Sequence, residues 1–315
     1  MTYSPPFLFR NAYLSTIYPT LCRKVEVPIK PLTCFITTRD GDELNFNWYR
    51  DNHSRVVILV HGLGGNNQRP YILGMARALL SAGWDVVAMN CRGMGGIMNK
   101  KSRIYHGGST DDLEDVIQHI QDQDIYQEIA PVGFSVGGNI ILLYLGKDAN
   151  TVSHLIKKAL CFSVPCDLKH SALELARPRN KVFMKYFLRD FKTLMEQKAA
   201  AFPDQISVAG FEEIVNFQEF DNRYTAPLHG FKDAEDYWYQ SSCKQYLKNV
   251  RIKTLIVMAQ DDTFMPKQCY PIKESEQNKY LTLVTPRHGG HVGFVAFNPQ
   301  NHYWSEKTAI QYLND

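Results

Sequence analysis

The chain has 315 residues, of which 44% are hydrophobic and 21% charged, so it can bury a large core and is not a disordered tail. Its 35 Lys and Arg residues against 32 Asp and Glu residues leave a net charge of +3, which is too balanced to favour nucleic acid as a partner. Seven cysteines without a C-x-x-C pair predict neither a disulfide framework nor a thiolate zinc site, and they fit a reducing, cytoplasmic compartment.

The N-terminal segment and the longest apolar stretch bear on membrane insertion. Residues 1–23 contain three prolines and no uninterrupted apolar run, so we expect no signal peptide. The apolar stretch 129–145 contains Pro131, Ser135 and Asn139, and it falls short of the roughly 18 to 20 clean apolar residues of a transmembrane helix. We therefore expect no transmembrane span, while peripheral membrane contact and the oligomeric state stay open.

From residue 32 onward, short β-branched runs alternate with helical patterns, which predicts an α/β fold with a mostly parallel central sheet flanked by helices. The predicted strands are 34–38, 44–49, 56–60, 85–89, 129–132, 158–164, 254–259 and 280–284. The predicted helices cover 70–81, a segment after residue 112, 140–145 and 302–313. Asp40-Gly41 favours a hairpin turn, so the first two strands should be antiparallel.

The strand pattern stops between about residues 167 and 250, where helical spacing such as Phe183, Phe187, Phe191 and Leu194 replaces it. This predicts a helical cap inserted into one domain that spans residues 1–315. The aromatic and basic segment 181–202 fits a lid over an active site or a helix lying on an anionic membrane. We favour the lid, because amphipathic helices usually pack against their own protein.

The sequence GFSVG at 133–137 matches G-x-S-x-G, with an apolar strand before it and an apolar helix after it. This context predicts a sharp strand-to-helix turn that exposes the hydroxyl of Ser135 as a nucleophile. The backbone N–H of Val136, at the start of the helix, would then be one donor to the oxyanion of the reaction.

A nucleophilic serine needs a general base and an acid that orients the base. Carboxylates follow the strand 254–259, where we prefer Asp262 to Asp261 because it precedes Pro266 by four residues. Imidazoles follow the strand 280–284, where we prefer His291 to His288 because the double glycine before it allows the chain to turn. We expect the second residue of each pair to be a solvated loop group. The chain order Ser, Asp, His is that of α/β-hydrolases.

A glycine-rich loop, HGLGG at 61–65, follows the first buried strand and suits the second half of an oxyanion hole, with the N–H of Leu63 as donor. The loop lacks the patterns of a nucleotide site, and the His and Asp residues near the C-terminus lack zinc-site spacing, so we expect no cofactor and no metal. His106 could line the site, but a structural loop histidine is the favoured interpretation.

Several segments together resemble the YheT and ABHD1–ABHD3 branch of the α/β-hydrolases, and the likeness covers nearly the whole chain. They are 11–19, 61–65, 71–77, 90–93, 105–106 with 111–113, 133–139, 287–294 and, most specifically, DNRYTAPLHGFKD at 221–233, whereas Gly107-Gly108-Ser109 departs from the family pattern. The resemblance implies that Ser135, Asp262 and His291 occupy the positions of the family's catalytic triad. It also implies carboxylic ester hydrolysis, with phospholipids as substrates of some eukaryotic members.

The function that these patterns predict is a cofactor-free serine esterase acting on a small-molecule or lipid ester through an acyl-enzyme at Ser135. Two alternatives stay open. Another nucleophile could intercept the acyl-enzyme, which would make the protein an acyltransferase. The fold could also serve as a non-catalytic lipid-binding protein, since function lies in the site and not in the fold.

Overall fold

A computed structural model describes residues 2–315 and contains, within them, one eight-stranded sheet. The strands are β1 (Leu32–Thr37), β2 (Glu43–Tyr49), β3 (Arg55–Val60), β4 (Asp85–Met89), β5 (Glu128–Phe134), β6 (Lys158–Phe162), β7 (Lys253–Val257) and β8 (Leu281–Val284). Their spatial order is β1-β2-β4-β3-β5-β6-β7-β8. The strand β2 pairs antiparallel with β1 and β4, and the other five pairs are parallel, which confirms the predicted mostly parallel sheet with an N-terminal hairpin.

Helices cover the sheet and extend beyond it. They are α1 (Ala12–Cys22), α2 (Pro70–Leu80), α3 (Thr110–Gln121), α4 (Val136–Lys147), α5 (Leu168–Leu175), α6 (Lys181–Ala201), α7 (Phe217–Phe220), α8 (Ala226–His229), α9 (Ala234–Ser241), α10 (Ile272–Gln277) and α11 (Trp304–Asn314). The predicted helices correspond to α2, α3, α4 and α11, and α5 to α9 lie in the predicted helical cap, whereas α1 and α10 have no counterpart among the predictions. Across residues 2–315, none of the helices combines the length and the apolar character that a bilayer crossing requires.

The central strand β3 shows why the sheet is buried on both faces. Because successive side chains of a strand point to opposite faces, Val56, Ile58 and Val60 join the core that includes α3 and α4. Val57 and Leu59 join the core that includes α2 and α11. The continuous apolar sequence of β3 is therefore what a strand covered on both sides requires.

The topology brings four loops together at the carboxyl ends of the parallel strands. Ser135 directly follows β5, Asp262 follows β7 and His291 follows β8, while the 61–65 loop follows β3, the neighbour of β5. The strand β6 ends at Phe162, two residues before the end of the predicted strand 158–164, because Ser163 has a left-handed backbone with φ 52° that turns the chain away. This edge of the sheet is where ligands of open α/β sheets bind.

The chain between β6 and β7 holds α5 to α9 and, within the described residues, no strand. In α6 the side chains of Met184, Leu188 and Phe191 are buried, and those of Lys181 and Lys185 are exposed. The apolar stripe of this helix is therefore packed against its own protein, as a lid or cap helix requires.

A buried amide fastens this helical segment to α4. Asn139, which is fully buried, donates from Nδ2 to the carbonyl oxygens of Gly107 and Ser241, each at 2.8 Å, and accepts from the N–H of Cys243 at 3.0 Å. One side chain thus joins α4, the loop before α3 and the chain that leaves α9.

We expect Asn139→Ala to lower the free energy of unfolding by about 2 to 4 kcal/mol, because it leaves buried backbone groups without partners. Urea unfolding measures this change, and the exposed Asn150→Ala is the matched control. A loss no larger than that of the control would show that the Asn139 bonds contribute little.

Candidate active site

Three side chains from three loops form one hydrogen-bonded chain at the carboxyl edge of the sheet. The Oγ of Ser135 lies 2.9 Å from Nε2 of His291, and Nδ1 of His291 lies 2.9 Å from Oδ2 of Asp262. All three residues are more than nine-tenths buried. The arrangement has the connectivity of a nucleophile, a base and an orienting acid.

Ser135 occupies a strained backbone conformation, with φ 53° and ψ −122°. A left-handed conformation of this kind at a residue with a side chain costs on the order of 1 to 3 kcal/mol, and it persists here because β5 and α4 are both firmly packed. The turn also requires glycine at position 137, where a Cβ atom would lie 2.5 Å from the carbonyl oxygen of His61. The strain and the glycine together allow the Ser135 hydroxyl to project from a sharp turn.

The second aspartate and the second histidine pair with each other. Oδ2 of Asp261 lies 3.3 Å from Nδ1 of His288, and its Oδ1 accepts from the N–H of Gly290 at 2.9 Å. Both side chains are about three-quarters buried, so they are loop groups with less contact with solvent than expected. The loops after β7 and β8 are neighbours and form two Asp–His pairs. Of these, only the pair of Asp262 and His291 contacts Ser135.

The loop that carries His291 is held by groups from distant parts of the chain. The N–H of His291 donates to Oγ1 of Thr16 at 2.9 Å, and Oγ of Ser15 donates to the carbonyl oxygen of Gly289 at 2.9 Å. The N–H of Val292 donates to Oγ of Ser163 at 3.0 Å. The helix α1 and the end of β6 therefore fix the backbone on either side of the imidazole.

The loop after β3 presents one unpaired N–H beside Ser135. The N–H of Gly62 donates to the Tyr71 hydroxyl at 3.0 Å, and that of Gly64 donates to the Tyr105 hydroxyl at 2.8 Å. Neither the N–H of Leu63 nor that of Val136 has an acceptor among residues 2–315. These are the two donors that the sequence predicts for an oxyanion hole.

The side chain of His61 contacts both this loop and the backbone of Cys91. Its buried ring accepts the N–H of Cys91 at Nε2, at 3.1 Å, and Nδ1 lies 2.8 Å from the carbonyl oxygen of Gly62. Burial lowers the pKa of His61 to about 4, so the ring is neutral near pH 7 and donates from Nδ1 to that carbonyl. The imidazole thus sets the path of the backbone that presents the N–H of Leu63.

We expect Gly62→Ala to lower kcat by about 10- to 100-fold, because a Cβ atom at this position would lie 3.0 Å from the Cβ of Ser135 and 3.2 Å from the carbonyl oxygen of Phe134. The loop must move away, and the N–H of Leu63 moves with it. Ester hydrolysis kinetics measure the effect, and thermal unfolding checks that the variant is folded. A folded variant with the parent kcat would contradict the placement of this loop at the reacting atoms.

Ser135 opens into a cavity of about 340 Å³, which is the size of many small-molecule sites. Most of its wall is apolar or aromatic, and it includes residues of α1, the 61–65 loop and the helices between β6 and β7. The ring of Phe264 lies 4.4 Å from that of His291 and 4.7 Å from that of Phe183 on α6. The cavity therefore joins the reacting groups to a largely apolar binding space.

Two buried polar side chains also line this cavity. Burial lowers the pKa of His106 well below its usual value, and Nδ1 of the ring accepts the N–H of Gly108, which makes it a structural group in the cavity wall. Asp221 accepts from the Thr225 hydroxyl at 2.6 Å and from Nε1 of Trp238 at 2.8 Å, and burial raises its pKa to about 7. Across residues 2–315, no group of three or more His, Cys, Asp or Glu side chains is arranged to hold a metal ion.

Sequence reasoning missed Thr16, Ser163, Tyr71 and Tyr105. Both tyrosines lie in segments that carry the family resemblance, so the motif could have pointed to them. Thr16 also lies in such a segment, 11–19, whereas Ser163 has no local signal. The bonds of Thr16 and Ser163 to the His291 loop depend on how α1 and β6 pack against that loop.

Comparison with known proteins gives matches to the alpha/beta hydrolase fold and to esterases. The family model described as alpha/beta hydrolase fold matches residues 55–296. The chain is similar to YheT of Escherichia coli (strain K12), named as a candidate esterase, with 33% identity over 97% of this chain and 91% of YheT. It is similar to the phospholipase ABHD3 of Mus musculus, with 30% identity over 85% of this chain and 67% of the relative. Among solved structures, the Pyrococcus furiosus esterase Pf2001 has the same fold, with a TM-score of 0.64 at 14% identity, covering 99% of this chain and 97% of that one.

Proposed function

Since the chain belongs to the α/β hydrolase fold family, in the branch of YheT and ABHD3, we propose that it is a serine hydrolase that cleaves carboxylic esters with Ser135, His291 and Asp262 as its triad. The observation that carries this proposal is the continuous hydrogen-bonded chain from Ser135 through His291 to Asp262, with both distances at 2.9 Å. The names of the two relatives support ester hydrolysis as the reaction.

In the acylation step, Oγ of Ser135 attacks the carbonyl carbon of the ester while its proton moves to Nε2 of His291. Asp262 accepts the N–H at Nδ1 of His291, which fixes the tautomer that leaves Nε2 free to act as the base. The bond between the carbonyl carbon and the leaving oxygen then breaks, and His291 gives its proton to that oxygen. The products are a free alcohol and an acyl-enzyme on Ser135.

In the second step, water attacks the carbonyl carbon of the acyl-enzyme and passes a proton to His291. The bond to Oγ of Ser135 breaks, and His291 returns the proton to the serine. In both steps the N–H groups of Leu63 and Val136 stabilise the negative charge on the carbonyl oxygen, and the N-terminus of α4 adds a favourable dipole. Such preorganised donors are each worth about 10²- to 10³-fold in kcat.

The mostly apolar wall of the cavity favours a substrate whose acyl or alcohol group is apolar. Phe187, Phe191 and Phe217 come from the segment 167–250, which we assign as the cap of a single hydrolase domain. An apolar wall favours transfer of apolar substrate surface from water. The substrate class that we propose is therefore a lipid or medium-chain ester.

Hydrolysis of p-nitrophenyl esters of increasing chain length tests this proposal. We expect an optimum above acetate, since a longer acyl chain fills more of the cavity and buries more apolar surface. Absence of hydrolysis across the series and with glyceride and phospholipid esters would contradict the proposal.

Product analysis with added alcohol separates hydrolysis from acyl transfer. Free acid as the main product identifies water as the acceptor, whereas an exchanged ester as the main product identifies a transferase. Binding of lipid without turnover, unchanged by Ser135→Ala, would instead identify a non-catalytic binding protein.

A further inference from the structure

Large apolar side chains are exposed on α1, on the turn before it and at the start of α6. They form a surface that we name the α1 patch, which consists of Phe7, Leu8, Leu14, Leu21 and Val182. Leu21 is 76% exposed and Val182 is 74% exposed, yet both also line the cavity. The patch is therefore continuous with the apolar wall that leads to Ser135.

The helix α1 has two faces with different partners. Its inner face, with Ser15 and Thr16, holds the His291 loop. Leu14 and Leu21 are seven residues apart, which is close to two helical turns, so they share the outer face. The preceding turn, Phe7–Arg10, folds back on α1, because the ring of Phe9 lies 4.8 Å from that of Tyr18. Tyr18 follows Leu14 by four residues and is its neighbour on the helix surface, so the turn that carries Phe7 and Leu8 lies near the outer face.

The start of α6 borders the patch and carries positive charge. The rings of Tyr13 and Phe183 stack at 6.0 Å, and the Tyr13 hydroxyl donates to the carbonyl oxygen of Arg179, so α1 and α6 are neighbours here. Lys181 and Lys185 are exposed. Among the described residues, neither has an acidic partner within salt-bridge distance.

The segments that form and border the patch, 1–25 and 175–189, contain no acidic residue, and the acidic residues that flank the second segment are paired. Glu174 is buried and binds Arg177 and Arg179, and Asp190 lies beside Arg189 and Arg69. The exposed charge at the edge of the patch is therefore positive, with Arg10 adding to it on the α1 side. An apolar surface bordered by unpaired cations complements a bilayer with anionic headgroups.

We propose that the α1 patch docks on an anionic lipid surface and that this contact brings a lipid ester to the cavity opening at Leu21 and Val182. Docking itself needs no catalysis, whereas delivery of substrate rests on the proposed function. The apolar stripe of α6 takes no part, since it is packed inside the protein.

The test uses the full-length chain with Ser135→Ala, so that vesicle lipids are not hydrolysed during the measurement. The protein should co-sediment with phosphatidylglycerol vesicles. A smaller fraction should co-sediment with pure phosphatidylcholine vesicles, or with phosphatidylglycerol vesicles at high salt. Leu8→Glu combined with Leu14→Glu should weaken partitioning onto the anionic vesicles by about tenfold or more. The new acidic group in the first turn of α1 is compatible with the helix dipole, so the variant should fold.

Leu32→Glu is the matched control. Leu32 is 58% exposed and begins β1, the edge strand of the sheet farthest from β8, so its substitution should leave partitioning unchanged. Equal partitioning of the parent and the double variant would overturn the proposal. So would a parent that binds no vesicle and forms a dimer that the double variant loses, because the patch would then be covered by a second copy of the chain.

A second measurement, made with Ser135 intact, separates this proposal from the proposed function. The Leu8→Glu and Leu14→Glu variant should hydrolyse soluble p-nitrophenyl acetate at the parent rate, and it should lose about tenfold in the rate on an ester embedded in anionic vesicles. Equal loss on both substrates would overturn the docking role. Absence of hydrolysis in the parent would instead contradict the proposed function and leave the sedimentation result standing.

Discussion

Ser135→Ala is expected to lower kcat for ester hydrolysis by about 10⁵- to 10⁶-fold, because it removes the atom that forms the acyl-enzyme. The binding cavity and both N–H donors remain, so the dissociation constant for a non-hydrolysable ester analogue should change little. Stopped-flow or steady-state assays with p-nitrophenyl esters measure the rate, and calorimetry measures binding of the analogue. This combination separates a loss of chemistry from a loss of structure.

The matched control for this variant is Ser207→Ala, an exposed serine in the segment between β6 and β7. It should hydrolyse esters at the parent rate. Retention of more than about 1% of the parent kcat by Ser135→Ala would contradict the role of Ser135 as the nucleophile, since a triad without its nucleophile loses nearly all of its rate enhancement.

Asp262→Asn is expected to lower kcat by about 10⁴-fold, while Asp261→Asn should lower it by less than about tenfold. Asp262 reaches Nδ1 of His291 at 2.9 Å, whereas Asp261 binds His288 and the N–H of Gly290. An amide at position 262 can donate to Nδ1, which stabilises the tautomer whose Nε2 carries a proton and cannot accept one from Ser135. The geometry of the loop survives, because Oδ1 of residue 262 can still accept the N–H of Phe264.

The two aspartates lie next to each other in the chain, so this pair of variants is a control for stability and local charge. Steady-state kinetics and urea unfolding of both variants provide the comparison. A larger loss of kcat in Asp261→Asn than in Asp262→Asn would assign the orienting role to the pair of Asp261 and His288. Equal losses would indicate that the two pairs act as one structural unit.

The sequence predicts the sheet well, because its strands are continuous apolar runs separated by clear turn and helix signals. The strands β3 and β5 illustrate this, since each has no charged or hydrogen-bonding side chain after its first residue, Arg55 or Glu128, and is buried from the second residue onward. Their ends are predicted less well. The predicted strand 158–164 is longer than β6, which ends at Phe162, because Ser163 turns the chain through a backbone conformation that composition does not reveal.

The helix α1 was not predicted, because its sequence AYLSTIYPTLC contains Pro19 in the interior and shows no strong amphipathic pattern. A proline removes one helical hydrogen bond and usually ends a helix. Here the helix is supported by tertiary contacts, in which Ser15 and Thr16 bond to the loop of His291. Contacts between residues 274 and 275 positions apart cannot be deduced from local patterns.

The candidate site also has one part that the sequence predicts and one part that it does not decide. The elbow at Ser135 has a local motif in the correct context of strand and helix, so sequence alone points to it. The choices between Asp261 and Asp262 and between His288 and His291 depend on which side chain of each loop turns toward β5. Only the packed loops distinguish a pair that reaches Ser135 from a pair that does not.

The most direct test of the proposed triad is stoichiometric labelling with a fluorophosphonate, followed by intact-mass measurement and peptide mapping. The triad predicts one adduct for each chain, located on Ser135, with esterase activity falling in proportion to labelling. It also predicts that His291→Ala is labelled at least about 100-fold more slowly, because the serine then lacks its base. Full activity after complete labelling, or an adduct on a residue other than Ser135, would contradict the central claim that Ser135 is the nucleophile of this hydrolase.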